Sequence, residues 1–161
     1  DSNVLPSLVA AATTGRFAWI GGGRHLTSTC HVDNAVEGVL AAAAHGAPGA
    51  VYFVTDGKPV IFRDFVSELL RTQGVEPEGG SVPRFLAMAA AIAAESAWRL
   101  LPFSGPPPLD RAAVRIVGDT CTVVDRRARK ELGYRGGVTR EAGLAALRDA
   151  KAASERVPVP A

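Results

Sequence analysis

The sequence predicts a mixed α/β fold, strand-bearing near its start and mostly helical afterwards. Three observations lead there. Short β-rich runs at 17–20, 27–32 and 50–55 alternate with helical patterns. Helical periodicity dominates beyond residue 61. Of the 161 residues, 47% are hydrophobic and 21% charged, a globular rather than a disordered composition.

Residues 4–14, VLPSLVAAATT, read as a helix stopped by Gly15. FAWI, 17–20, is a short buried strand that runs into Gly21, Gly22 and Gly23. TSTCHV, 27–32, is a second extended stretch. Asp33 or Asn34 is expected to cap the helix AVEGVLAAAAHG, with Val36, Val39 and Leu40 on one face. AVYFVT, 50–55, is a strand, and DGKP a turn in which Pro59 removes a ladder donor. FRDFVSELLRTQG is an amphipathic helix ended by Gly74. The long apolar run 81–103 reads as a packed helix, with Glu95 and Arg99 spaced to pair across one turn. SGPPPL is a hinge, and VRIVGDTCTVVD reads as mostly extended. A helix from Asp125 to Leu132 ends at Gly133, another starts near Thr139, and ERVPVPA is a tail.

The glycines do not form a dinucleotide loop. Gly21 and Gly23 fit the first two positions of G-x-G-x-x-G, but Leu26 holds the third and no helix follows. A tight reversal between two extended pieces fits better. Cys30, His31, His25 and Asp33 crowd together in sequence, yet adjacent residues of an extended segment face opposite ways, so no metal is expected. Cys30 and Cys121 read as small apolar residues in a reducing, cytoplasmic compartment, without a disulfide. The basic run Arg126, Arg127, Arg129 and Lys130 spreads around a helix, and a net charge of +2 gives no case for nucleic acid. The apolar helix leaves a membrane surface as a minor alternative. The chain opens with Asp1 and shows no signal peptide, and a longer parent is expected.

Three stretches carry a resemblance. TCHVDNAVEGVLAAA, GAVYFVTDGKPVIFRDFVSELLRTQGV and CTVVDRRARKELGYRGGVTREAGLAAL are similar, in order, to segments of the C-terminal half of the extended short-chain dehydrogenase/reductase superfamily, across residues 17–147. The nearest branch is the 3β-hydroxysteroid dehydrogenase/isomerase-like one. Asn34 stands where that branch has Asn and sugar-nucleotide epimerases usually have Asp. Thr27 replaces the arginine that those epimerases often use to hold a diphosphate.

The resemblance implies a partial Rossmann-type fold. Residues 1–60 would supply the last strands and helices of the Rossmann-type half, 61–155 a mostly helical substrate-binding lobe, and 156–161 a tail. It also implies an intact enzyme that uses NAD or NADP on a secondary alcohol or ketone of apolar, sterol-like kind. The family's Tyr-x-x-x-Lys pair is missing: Asp56 follows Tyr52 by four residues and Val138 follows Tyr134 by four. This chain is therefore expected to hold no catalytic residue and to bind no cofactor alone. Thr27, His31 and Arg115 are the expected substrate contacts. Phe85, Met88, Ile92 and Trp98 could line the substrate pocket or simply pack the lobe. The expected partners are a small apolar substrate and either the missing N-terminal half or a second copy, met through the edges of strands 17–20 and 50–55. A stand-alone, non-catalytic binding module is the alternative.

Overall fold

The computed structural model describes residues 4–100 and 110–156. The expected hinge at 104–109, residues 101–103 of the long apolar run and the tail beyond 156 lie outside them. Helix α1, Val4–Thr13, ends before Gly15 at φ 68°. Strand β1, Trp19–Ile20, follows, and Gly21–Gly23 turn the chain into β2, Leu26–Thr27. All three glycines have positive φ, which only glycine adopts cheaply. The tight reversal is therefore the one expected.

Helix α2 spans Val32–His45, β3 Val60–Ile61 and α3 Phe62–Arg71. Then come β4, Ser81–Val82, and α4, Arg84–Leu100. Strand β1 pairs in parallel with β4, and β2 pairs antiparallel with β3. The start of the long apolar run thus serves as sheet before it becomes helix. Helices α5, Arg111–Gly118, α6, Arg126–Leu132, and α7, Arg140–Arg156, complete the described chain.

Two expectations fail here for physical reasons. VRIVGDTCTVVD was expected to be extended, but its first residues belong to α5. Asp110 caps that helix by accepting from the Ala113 N–H, and Val114 is fully buried against Ala87 and Ala91 of α4. Capping and packing outweigh the β-branched preference. Glu95 does not depend on Arg99 as its main partner: it accepts from the Arg111 backbone N–H and the Arg111 Nε, each at 2.8 Å. A partner anchored on a second helix replaces a pairing within one helix.

The core has three parts. Trp19 packs with Val66 and Leu70 of α3, under Leu8, Val9 and Ala12 of α1. Ala87, Ala91 and Val114 join α4 to α5. Ala128, Leu132 and Tyr134 pack on Ala41, Ala42, Tyr52 and Val54. Leu70→Ala removes a side chain of zero exposure and is expected to lower the unfolding free energy by about 3 kcal/mol, measured by urea titration.

The segment 50–55 keeps the period-two alternation of a strand but makes no ladder. Tyr52 and Val54 face the third core cluster while Val51 and Phe53 stand exposed. A strand needs a neighbour to complete its hydrogen bonds, and none of the described segments provides one. On α2, Val36, Val39 and Leu40 share one face as expected, but that face is exposed. Among the described residues, no helix is long and apolar enough to cross a membrane.

Candidate functional site

The site is built where β2 runs out and α2 begins. His31, at φ −65° and ψ 147°, caps α2: its Nδ1 accepts from the Asp33 N–H at 3.2 Å. The imidazole thus takes the capping role expected of Asp33 or Asn34. Asp33 lies in the first turn, where a carboxylate meets the positive end of the helix.

With the cap supplied elsewhere, Asn34 turns inward and is 1% exposed. Its Nδ2 donates to Asp56 Oδ1 and to the Val138 carbonyl, both at 2.7 Å. Its Oδ1 accepts from the Val138 N–H at 3.0 Å. Asp56 Oδ1 also accepts from the His31 N–H at 2.6 Å, and the Asp56 N–H donates to the Thr29 carbonyl. One buried amide and one carboxylate therefore tie together three segments distant in sequence.

A second group of bonds lies beside the first. Thr55 Oγ1 donates to Asp125 Oδ2 at 2.9 Å, and the Tyr134 hydroxyl donates to the Thr55 carbonyl at 2.8 Å. The Arg129 guanidinium holds the Asp125 carboxyl below its ordinary value. Glu37 of α2 accepts from the backbone N–H groups of Arg135 and Gly136, which lowers its carboxyl likewise. Burial, more than the neighbouring charges, pushes the Tyr134 phenol up to about 12. The unfolded phenol ionises near its ordinary 10 and the folded one near 12, so stability holds below that window and falls as pH rises through it. An absorbance titration should show one of the two tyrosines ionising near pH 12, and Tyr134→Phe should remove that step while costing about 1 kcal/mol of stability.

A cavity of about 380 Å3 adjoins this network. Leu5, Phe65, Leu69, Leu144 and Leu147 are among its apolar lining residues, and Thr29, His31, Asp56 and Arg140 among its polar ones. Gly143 gives the imidazole its room: a Cβ there would sit 2.9 Å from His31 Cδ2.

Of the three expected substrate contacts, only His31 lines this cavity. Thr27 is in β2, bonded between β3 and a bridge to Cys121. Arg115 lines a separate groove on α5 with Glu95, Arg111 and Ile116. The α4 residues do not wall the His31 cavity either. Phe85 and Ile92 are exposed, Met88 packs on the second core cluster, and Trp98 lines a shallow groove beside Asp110. Sequence reasoning missed Asp56, Thr55, Asp125 and Tyr134 as a network, and Arg140 as a wall residue. Asn34 had left one signal, as the position at which the resemblance sets the 3β-hydroxysteroid dehydrogenase-like branch apart from the sugar-nucleotide epimerases.

Other expectations resolve locally. His25 stacks on Phe62, and burial depresses its imidazole. Cys30 and Cys121 are free thiols, and exposed rather than packed apolar residues. Among the described residues, no three His, Cys, Asp or Glu side chains gather as metal ligands. Arg127 and Arg129 pair with Glu131 and Asp125 and lie over the rings of Tyr52 and Tyr134. The residues present do not fit a dinucleotide. Gly21–Gly23 open no α-helix, and a Cβ on Gly23 would already meet Trp19 at 2.9 Å.

No family model matches the chain. Curated relatives do. A 4-hydroxy-2-methyl-3-oxo-4-farnesyl-3,4-dihydroquinoline-1-oxide ketoreductase from Stigmatella aurantiaca is 50% identical over 155 residues, covering 96% of this chain and 46% of that protein. A 2-alkyl-3-oxoalkanoate reductase from Stenotrophomonas maltophilia is 30% identical, covering 95% and 48%. A decarboxylating sterol-4-alpha-carboxylate 3-dehydrogenase from Dictyostelium discoideum is 28% identical, covering 88% and 44%. The chain thus spans about half the length of the curated relatives it matches. Among solved structures, gox2253 superposes with a TM-score of 0.59 at 20% identity, over 93% of this chain and 43% of that one. The Bordetella bronchiseptica enzyme WbmF in complex with NAD+ superposes at 0.54 and 22%, over 96% and 37%. At such identities these two likenesses speak for the fold alone, a Rossmann-type one of which this chain holds a few strands and a mostly helical lobe. The homologues of this chain are members of the short-chain dehydrogenase/reductase superfamily, sterol and 3β-hydroxysteroid dehydrogenases among them, and the chain, its three matching segments joined around Asn34 and Asp56, is a C-terminal portion of such a protein.

Proposed function

We propose that this chain is the substrate-side half of an NAD(P)-dependent oxidoreductase that interconverts a secondary alcohol and a ketone on an apolar, sterol-like substrate. One observation carries the reading: a largely apolar cavity built directly onto the Asn34–Asp56 network. Apolar walls with a few fixed polar groups are what a hydrophobic small molecule needs. The relatives named above, a ketoreductase, an oxoalkanoate reductase and a sterol dehydrogenase, support the reaction class. None of them is a stand-alone binding module.

Residues 1–60 would extend the Rossmann-type sheet and 61–155 would form the lobe over the substrate. NAD or NADP would be held outside this chain, and the proton-transferring tyrosine and its lysine would be supplied there too. What these residues do is bind and orient. His31 lines the cavity while its Nδ1 is occupied by the helix cap. Thr27 and Arg115 would touch only parts of a substrate that extend beyond the cavity. The bare faces of 50–55 and α2 would be covered by the N-terminal half.

The test is a hybrid enzyme in which this chain follows, in frame, the N-terminal half of the Stigmatella relative. The hybrid should oxidise NADPH or NADH in the presence of apolar ketones, and the isolated chain should not. Turnover by the isolated chain, or a folded, cofactor-binding hybrid that reduces none of the ketones, would overturn the reading. In the active hybrid, His31→Ala should raise KM about tenfold. His31→Asn, which can still cap α2, separates substrate contact from capping: KM should rise while the thermal midpoint stays in place.

A further inference from the structure

Helix α4, Arg84–Leu100, inverts the usual amphipathic arrangement. On α3 the outward residues are Arg63, Asp64, Glu68 and Arg71. On α4 the packed side carries Ala87, Met88 and Ala91, toward Val114 of α5. The outward side carries Phe85, Ala89, Ile92, Ser96 and Leu100, at helical spacing, and Leu86, Ala90 and Ala93 broaden it. Phe85 is 71% exposed and Leu100 83%. No charge interrupts this arc. Arg84 is paired with Asp119 and Glu95 with Arg111, while Arg99 stands at the margin within electrostatic reach of Glu95.

An apolar half-helix turned outward calls for a cover. On the reading above, the N-terminal half meets the bare side of 50–55 and α2, on the third core cluster, whereas α4 packs in the second. A protein partner would find almost nothing on the arc to bond, although protein interfaces carry roughly one hydrogen bond per 100–200 Å2. The one side-chain hydroxyl there, Ser96, donates back to the Ile92 carbonyl at 2.7 Å. A face whose polar groups are all satisfied within its own helix suits hydrocarbon. The 17 residues make about 25 Å of helix, with Arg84 at one end and Arg99 near the other, where long stems let a charge reach water. Such a helix is too short and too charged to cross a bilayer, and suited to lie in its surface.

We propose that α4 docks the protein on a phospholipid surface, lying in its plane with Phe85, Leu86, Ile92 and Leu100 in the acyl boundary and Arg84 and Arg99 at the level of the headgroups. Apolar insertion drives the contact more than charge does, because Arg84, Arg99, Arg111 and Arg115 of α4 and α5 are offset by Glu95, Asp110 and Asp119. The docking does not depend on the oxidoreductase reading. On that reading, it holds the lobe beside the phase in which an apolar substrate dissolves.

Flotation of the 161-residue chain with vesicles of phosphatidylcholine alone tests it, since neutral lipid removes the pull of the +2 net charge. The chain should float with the vesicles. Phe85→Glu and Ile92→Glu should each weaken partitioning by about tenfold, the value of one large apolar side chain, and leave the thermal midpoint in place. Phe85→Leu should retain binding. Phe53→Glu, on the other bare face, should change binding by less than about twofold. A chain that stays in the aqueous fraction would overturn the proposal, as would binding lost with Phe53→Glu and kept with Ile92→Glu. Flotation only after phosphatidylglycerol is added would overturn apolar insertion. A dimer in size-exclusion chromatography that Ile92→Glu splits, without flotation, would give the face to a second copy. Binding by the isolated chain but not by the hybrid would give it to the N-terminal half. Ketone turnover by the hybrid reports separately on the oxidoreductase reading.

Discussion

Asn34→Ala should lower the free energy of unfolding by about 3 kcal/mol or more. The side chain is 1% exposed and makes three hydrogen bonds. Its removal strands the Val138 N–H and carbonyl and takes a donor from the Asp56 carboxylate. Each buried group left unpaired costs about 1–3 kcal/mol, so the loss exceeds that of an ordinary surface change several-fold. Urea denaturation followed by circular dichroism measures it. Asn34→Asp makes a sharper trial, since it introduces the residue that sugar-nucleotide epimerases usually carry. A second carboxylate would then face Asp56 Oδ1 across 2.7 Å with no donor between them. One of the two must stay protonated in the folded state, so its pKa is raised there above the unfolded value. Stability of this variant should therefore be better at acid pH and fall as pH rises through the ordinary carboxylate range. A variant as stable as the parent at neutral pH would remove Asn34 from the centre of the network.

The second large effect is on assembly. Phe53→Lys should leave the isolated chain within about 0.5 kcal/mol of the parent, because Phe53 is 54% exposed and lies on the bare side of the 50–55 segment. In the hybrid the introduced ammonium would be buried against the apolar underside of a sheet with no partner for its charge. Folding of the hybrid, and with it ketone-dependent oxidation of NAD(P)H, should fall by more than about tenfold. Phe53→Leu keeps the apolar contact and should preserve both. Size-exclusion chromatography of the isolated chain adds an independent readout, since Val36, Val39, Leu40, Val51 and Phe53 leave apolar surface open to association. Full activity of the hybrid carrying Phe53→Lys would show that this face stays in water.

Much of the architecture could be read from residues alone because it depends on short-range chemistry. The Gly21–Gly23 reversal, the stops at Gly15, Gly74 and Gly133, and the amphipathic helix at Phe62–Arg71 all follow from backbone freedom and spacing within a few residues. The resemblance to short-chain dehydrogenases was legible for a related reason, as three ordered stretches of sequence. Their purpose was not. What the Asn, the turn Asp and the Tyr do becomes plain only when Asn34 meets Asp56 and Val138, and Tyr134 meets Thr55, through bonds that bridge 22, 104 and 79 positions of chain.

Sequence by itself determined the local turns and most of the helices, that neither tyrosine has a lysine four residues on, and the resemblance to short-chain dehydrogenases. Only the tertiary structure decided that His31 rather than Asp33 caps α2, that the β-branched Val114, Ile116 and Val117 join a helix, and that 50–55 lies without a ladder. It alone placed Arg140 on the cavity wall and Arg115 on another groove. The physical reason is range. Caps, turns and periodicity act over one or two turns of backbone. A buried hydrogen bond, an ion pair or a cavity depends on what another segment brings to the same place.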